Sequence, residues 1–109
     1  MARYRVEISA GAEQDLEQLT DHIAQNGSEL AAARLLDQLL DRIGSLESFP
    51  ERGARPKELQ ALGIHGYRQL NIGVYRLIYR VAGNIVQILL IADGRRDMSA
   101  LLHQRLVSS

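Results

Sequence analysis

Three arginines, Arg68, Arg76 and Arg80, interrupt the segment YRQLNIGVYRLIYRV at residues 67–81. A guanidinium group keeps its charge at physiological pH and presents a planar fork of donors that matches carboxylate and phosphate oxygens. Arg95 and Arg96 stand together in DGRRD, and Arg52, Arg55 and Lys57 lie within six residues of the preceding loop. The chemistry open to such a set is recognition of an anion, either RNA phosphate or the carboxylates of an acidic protein. The plainer roles are solvation and pairing within the chain, for example of Arg76 or Arg80 with Glu7. Other chemistry is thinly represented. His22, His65 and His103 are far apart and make no metal-ligand pattern, cysteine is absent, and no glycine-rich phosphate loop occurs. No metal and no cofactor are expected.

The elements that position these residues can be read from periodicity. RYRVEI (residues 3–8) alternates as a half-buried strand, and Ser9 stands where a helix N-cap belongs. Ala12, Leu16, Leu19 and Ile23 then form one helical stripe, with Glu13, Asp15 and Glu17 where the helix dipole favours acids. NGS (residues 26–28) breaks the pattern, with Gly27 in the left-handed conformation and Ser28 capping the next helix. That helix runs to about Glu47 on a stripe of Ala32, Leu36, Leu39, Leu40, Ile43 and Leu46, so the two make a helical hairpin. The connection FPERGARPKELQALGIHG reads as a long, locally basic loop. YRQLNI and YRLIYRV are strands joined at Gly73, and NIVQILLIA follows as a central strand covered on both faces. Asp97 caps a short final helix whose stripe is Met98, Leu101, Leu102 and Leu106.

On the third strand Tyr75, Leu77, Tyr79 and Val81 read as core, with tyrosine hydroxyls reaching the rim. Arg76, Ile78 and Arg80 point to the other face, which reads as open. The order is β-α-α-β-β-β-α, an α+β fold with an antiparallel sheet packed on the helical hairpin. A chain of 109 residues, 46% hydrophobic and 24% charged, is expected to be a single domain over residues 1–109. No apolar run approaches a membrane span, the N-terminus does not read as a signal peptide, and the lack of cysteine fits a reducing cytoplasm. The net charge is zero, yet residues 1–47 carry four arginines against nine acids, and residues 48–109 carry nine bases against four. Either the halves neutralise each other on packing, or the basic half receives an anionic partner.

PERG, YRQL, YRLIYRV, the apolar strand and GRRDMSALLHQRL together resemble the RelE/ParE superfamily of bacterial toxins over nearly the whole chain. The ending is more similar to the ParE branch. That resemblance implies a cytoplasmic bacterial toxin that inhibits DNA gyrase, blocks replication and is not itself an enzyme. It also implies a cognate antitoxin whose disordered acidic tail folds over the toxin, with Arg68, Arg76 and Arg80 as the antitoxin-binding arginines. Gyrase contact is expected at Arg95, Arg96, Leu102 and Leu106. No sequence-specific nucleic-acid binding and no membrane association are expected.

The RelE branch implies a ribosome-dependent messenger-RNA endonuclease, and its active groups fall here on Arg68, Leu70, Arg76, Arg95 or Arg96, and Leu102. Leu70 and Leu102 can supply neither charge nor proton, which leaves Arg68, Arg76, Arg96 and the adjacent His103 as the catalytic set for that alternative. Zero net charge also fits poorly with ribosome and RNA binding. A further alternative is a toxin-like binding module without activity, paired only with its antitoxin.

Overall fold

The computed structural model describes residues 3–108. Strand β1 (Arg5–Ile8) leads into α1 (Ala10–Asn26) and α2 (Glu29–Ser45), a short α3 (Lys57–Gln60), strands β2 (Tyr67–Ile72), β3 (Tyr75–Ala82) and β4 (Ile85–Asp93), and α4 (Met98–Ser108). The caps form as expected. Ser9 Oγ accepts from the Ala12 N–H at 3.1 Å, Ser28 Oγ from Ala31 at 3.0 Å, and Asp97 Oδ1 from Ala100 at 3.0 Å. Each satisfies an N–H that a helix start leaves without an internal partner. Gly27 departs from expectation: its φ of −135° is not left-handed, and the first helix closes through the Gly27 N–H to the Ile23 carbonyl. Gly73 and Gly83 do take positive φ, 59° and 61°, in the two hairpin turns.

The sheet order is β1-β4-β3-β2, which makes β4 central. β2, β3 and β4 are antiparallel neighbours, but β1 lies parallel to β4, so the sheet is mixed rather than wholly antiparallel. Between Ile78 and Tyr79 the β3–β4 register shifts: Ile78 faces Leu90 while Tyr79 faces Ile88, which leaves Leu89 as the bulged residue. The bulge also switches faces. Val86, Ile88 and Ile91 join the core beneath the helical hairpin, whereas Leu89, Leu90 and Ala92 join a second core on the opposite side.

The first core packs Leu35, Leu39, Ile43 and Leu46 of the α2 segment onto Leu70, Leu77 and Tyr79. Each such side chain removed from water contributes roughly 1.5–3 kcal/mol. The stripe is rotated slightly from expectation, since Leu35 is buried and Leu40 is 45% exposed. The second core corrects a larger expectation. The far face of the sheet is not wholly open, because α3 and α4 close part of it with Leu59, Met98 and Leu102 against Ile78 and Leu90. β4 is thus covered on both faces, as its unbroken apolar run requires. Tyr79 does not reach the rim either. It is fully buried, and its hydroxyl accepts the Gly53 N–H at 3.0 Å.

Candidate functional site

Arg76 lies on the covered face and is already occupied. Its Nη1 and Nη2 donate to Glu58 Oε2 and Oε1, both at 2.8 Å, and its Nε donates to Gln69 Oε1 at 3.0 Å. The Arg76 and Glu58 side chains are only 12% and 13% exposed. Hydrogen bonding from Arg76 holds the Glu58 carboxyl at a pKa of about 2. The arginine stem passes over Gly94, where an added Cβ would come within 2.7 Å of Arg76 Cδ. Arg76 therefore braces α3 against the sheet and is not part of an open binding face. Its acidic partner is Glu58, and Glu7 pairs instead with Arg5 at 2.7 Å.

Arg68 points the other way. It alternates with Gln69, shares the hairpin side with Leu70 and Ile72, and donates to the Gly53 carbonyl at 2.9 Å. It lines a small basic pocket with Arg55, Glu51, Tyr67 and Val81. Arg68 and Arg76 thus leave the sheet on opposite faces and do not converge on one site. Leu70 and Leu102, 7% and 1% exposed, are core residues.

Arg80 is exposed on the part of the far face that α4 leaves uncovered. Its cross-strand neighbours are Tyr67 and Gln87, and beyond Gln87 stands Glu7. Its Nε donates to Gln87 Oε1 at 3.2 Å. Tyr67, Arg80 and Gln87 border a groove of about 650 Å³ whose opposite wall is the first turn of α1.

At the other end of β4, Arg95 folds back on Asp93, with contacts of 2.6 and 3.0 Å. Arg95 holds the Asp93 carboxyl at a pKa of about 2. Arg96 is exposed, and its guanidinium has no ion-pair partner among the described residues. Both border a pocket with His22 and Tyr75. Leu102 cannot offer contact to a partner, because it plugs the second core; Leu106 is half-buried against the same cluster. His103 is exposed in a mostly apolar groove with Leu62 and Val107. Arg68, Arg76, Arg96 and His103 accordingly share no one pocket: Arg68 lies on the opposite face, Arg96 borders a different pocket, and Arg76 is tied to Glu58, whose far side borders the His103 groove. Among the described residues no group of three or more His, Cys, Asp or Glu could hold a metal ion, and no helix is long and apolar enough to cross a membrane.

Sequence reading also missed a clamp. β1 stops at Ile8, so β4 has a free edge beyond Ile88. Asp15 of α1 and Arg105 of α4 close that edge. Asp15 Oδ2 accepts the Ile91 N–H at 3.0 Å, Arg105 Nη1 donates to the Leu89 carbonyl at 2.8 Å, and the two side chains meet through two 2.8 Å bonds. Gly11 makes the room, since a Cβ there would lie 2.9 Å from Arg105 Nη1. The spacing of 90 residues leaves no local signal for it. Of the five ion pairs among the described residues, this alone joins the acidic first half to the basic second half. The halves therefore stay largely unneutralised. Glu13, Glu17, Asp21, Glu29, Asp37 and Asp41 are exposed on the helices, and Arg55, Lys57, Arg80 and Arg96 on the loop and sheet side.

Comparison with known proteins places this arrangement among relatives. Residues 6–98 match the sequence model of the family described as the ParE toxin of the type II toxin–antitoxin system parDE. Toxin ParE3 of Caulobacter vibrioides is 26% identical over 91 residues, covering 84% of this chain and 87% of that protein. The structure of a chromosomal ParDE system from P. aeruginosa superimposes with a TM-score of 0.71 at 23% identity, over 85% of this chain and 98% of that one. A free-state mutant of E. coli RelE superimposes at 0.63 with 15% identity, over 91% and 92%. At these identities the two structures speak for the fold.

Proposed function

The chain belongs to the ParE toxin family of type II toxin–antitoxin systems, and from that premise we propose that it inhibits DNA gyrase by binding it, without catalysis of its own, and is neutralised by a cognate antitoxin. The observation that carries the non-catalytic reading is the divergence of Arg68 and Arg76 to opposite faces of the sheet, with Arg76 bound to Glu58. In-line cleavage of RNA needs cations converging on one phosphate and a group that moves a proton beside it. Here the cations diverge, and of the three remaining family positions two are core leucines, Leu70 and Leu102, so that beside Arg95 or Arg96 neither a further cation nor a proton-transfer group is supplied. The structural likeness to RelE is a likeness of fold, and fold alone does not carry activity.

On this reading the basic side of the molecule is a protein-binding surface in the bacterial cytoplasm. The antitoxin's acidic tail engages Arg68 and Arg80. Gyrase engages the exposed end of β4 at Arg95 and Arg96. The test is expression without the antitoxin, with replication and message integrity followed in the same cells. The expected result is growth arrest with stalled replication and intact messages. Cleaved messages with normal replication would assign the chain to the nuclease branch, and unimpaired growth would make it an inactive binding module.

A further inference from the structure

The groove beside Arg80 has a chemistry of its own. Its floor and walls include Tyr67, Arg80, Gln87 and Leu89 of the sheet, Gln14 of α1 and Arg105 of α4. We infer that this groove seats one carboxylate of an extended antitoxin segment, with Arg80 as its counter-ion. The inference rests on the toxin–antitoxin reading above and fixes where on the toxin that partner is held.

Charge accounting supports the assignment. Arg105 contributes no net charge, because Asp15 neutralises it through two 2.8 Å bonds. Glu7, the acid on the same cross-strand row, is held by Arg5 at 2.7 Å. Among the described residues Arg80 meets only the neutral Gln87 amide, at 3.2 Å. One uncompensated guanidinium therefore faces a concave site whose walls otherwise offer amides, a phenol and apolar surface. Arginine in such a setting forks onto a carboxylate with charge-assisted bonds. The bulge aids the fit, since it turns Leu89 to this side as a buried apolar floor beside the Tyr67 ring. At about 650 Å³ the groove admits a few side chains of a peptide. A nucleic-acid track would need several free cations in line to neutralise successive phosphates, and of the two arginines lining this groove Arg105 is already paired with Asp15.

The experiment uses the full chain and the antitoxin encoded beside it, with affinity measured by calorimetric titration. Arg80→Gln is the variant, and because Arg80 is exposed its unfolding midpoint should match wild type. Each antitoxin Asp and Glu is changed singly to its amide and titrated against both toxins. The expected result is at least a tenfold loss for Arg80→Gln, and one antitoxin carboxylate whose amide variant costs wild type as much but costs Arg80→Gln nothing further. If wild type forms no complex, the toxin–antitoxin reading falls and this inference with it. If the complex forms equally well with Arg80→Gln, only the groove assignment is overturned. If the losses add for every antitoxin carboxylate, the single-carboxylate seat is overturned. If Arg80→Gln keeps antitoxin affinity but loses binding of a labelled single-stranded oligonucleotide, the groove belongs to nucleic acid.

Discussion

Glu58 and Arg76 meet through two parallel hydrogen bonds of 2.8 Å, which fasten the short α3 to the start of β3. The relationship changes the meaning of the arginine-bearing hairpin. Of the three arginines that interrupt it, Arg76 is a bolt between elements, Arg68 reaches the Gly53 carbonyl while still lining an open pocket, and Arg80 meets only the neutral Gln87 amide among the described residues.

The bolt should be sensitive to acid. The Glu58 pKa of about 2 lies below its ordinary 4.5. The group is depressed on folding, so its contribution is fully present above about pH 5 and is lost as pH falls toward 2. With screening by nearby solvent, that contribution is on the order of 1–2 kcal/mol. Glu58→Gln should remove this part of the acid dependence. It should also cost about 2–3 kcal/mol at neutral pH, because Arg76 is left desolvated without its counter-ion. Urea unfolding of both proteins between pH 2 and 7 measures both effects.

The Asp15–Arg105 clamp should govern how firmly α4 is held. Asp15→Ala removes both bonds to Arg105 and leaves the Ile91 N–H without an acceptor. A loss of about 3 kcal/mol is expected. Hydrogen exchange should quicken at Ile91 and through α4, while α2 keeps its protection.

Tyr79 and Gly53 make a third joint. Tyr79→Phe would leave the buried Gly53 N–H unsatisfied and should cost about 1–3 kcal/mol in urea unfolding. Gly53→Ala should cost more. Its Cβ would lie 2.6 Å from the Gln69 carbonyl and 2.7 Å from the Tyr79 hydroxyl, and the former is backbone of the adjoining strand.

On the functional side, Arg96→Glu should weaken growth arrest at least tenfold in the inducer level required, with the fold and antitoxin affinity unchanged. His103→Ala should leave arrest as it is. Growth on graded inducer reads both.

Much of the fold was legible because its signals are local. Ser9, Ser28 and Asp97 are caps whose acceptors sit three residues from their donors, and Gly73 and Gly83 mark turns by their own backbone freedom. The alternation of Tyr75, Leu77, Tyr79 and Val81 separated the faces of β3 correctly. What stayed hidden depends on distance along the chain. The direction of β1 relative to β4 is not encoded in the alternation of a four-residue strand. The four-residue α3 is too short for a helical period to appear, and it lies in a stretch punctuated by proline and glycine. Without it, the alternation of β3 makes Arg76 and Arg80 equivalent. Glu58, 18 residues from Arg76, and Asp15, 90 residues from Arg105, become partners only through the tertiary fold. The face-covering helices were nonetheless implied by NIVQILLIA, whose apolar run needs shelter on both sides.

The central claim is that this chain acts by binding gyrase rather than by cutting RNA. The most direct measurement is supercoiling of relaxed plasmid by purified gyrase in the presence of the folded chain. Inhibition at near-stoichiometric toxin, or accumulation of cleaved plasmid, is the predicted result, relieved by added antitoxin. Undiminished supercoiling at large excess of folded toxin would contradict the account.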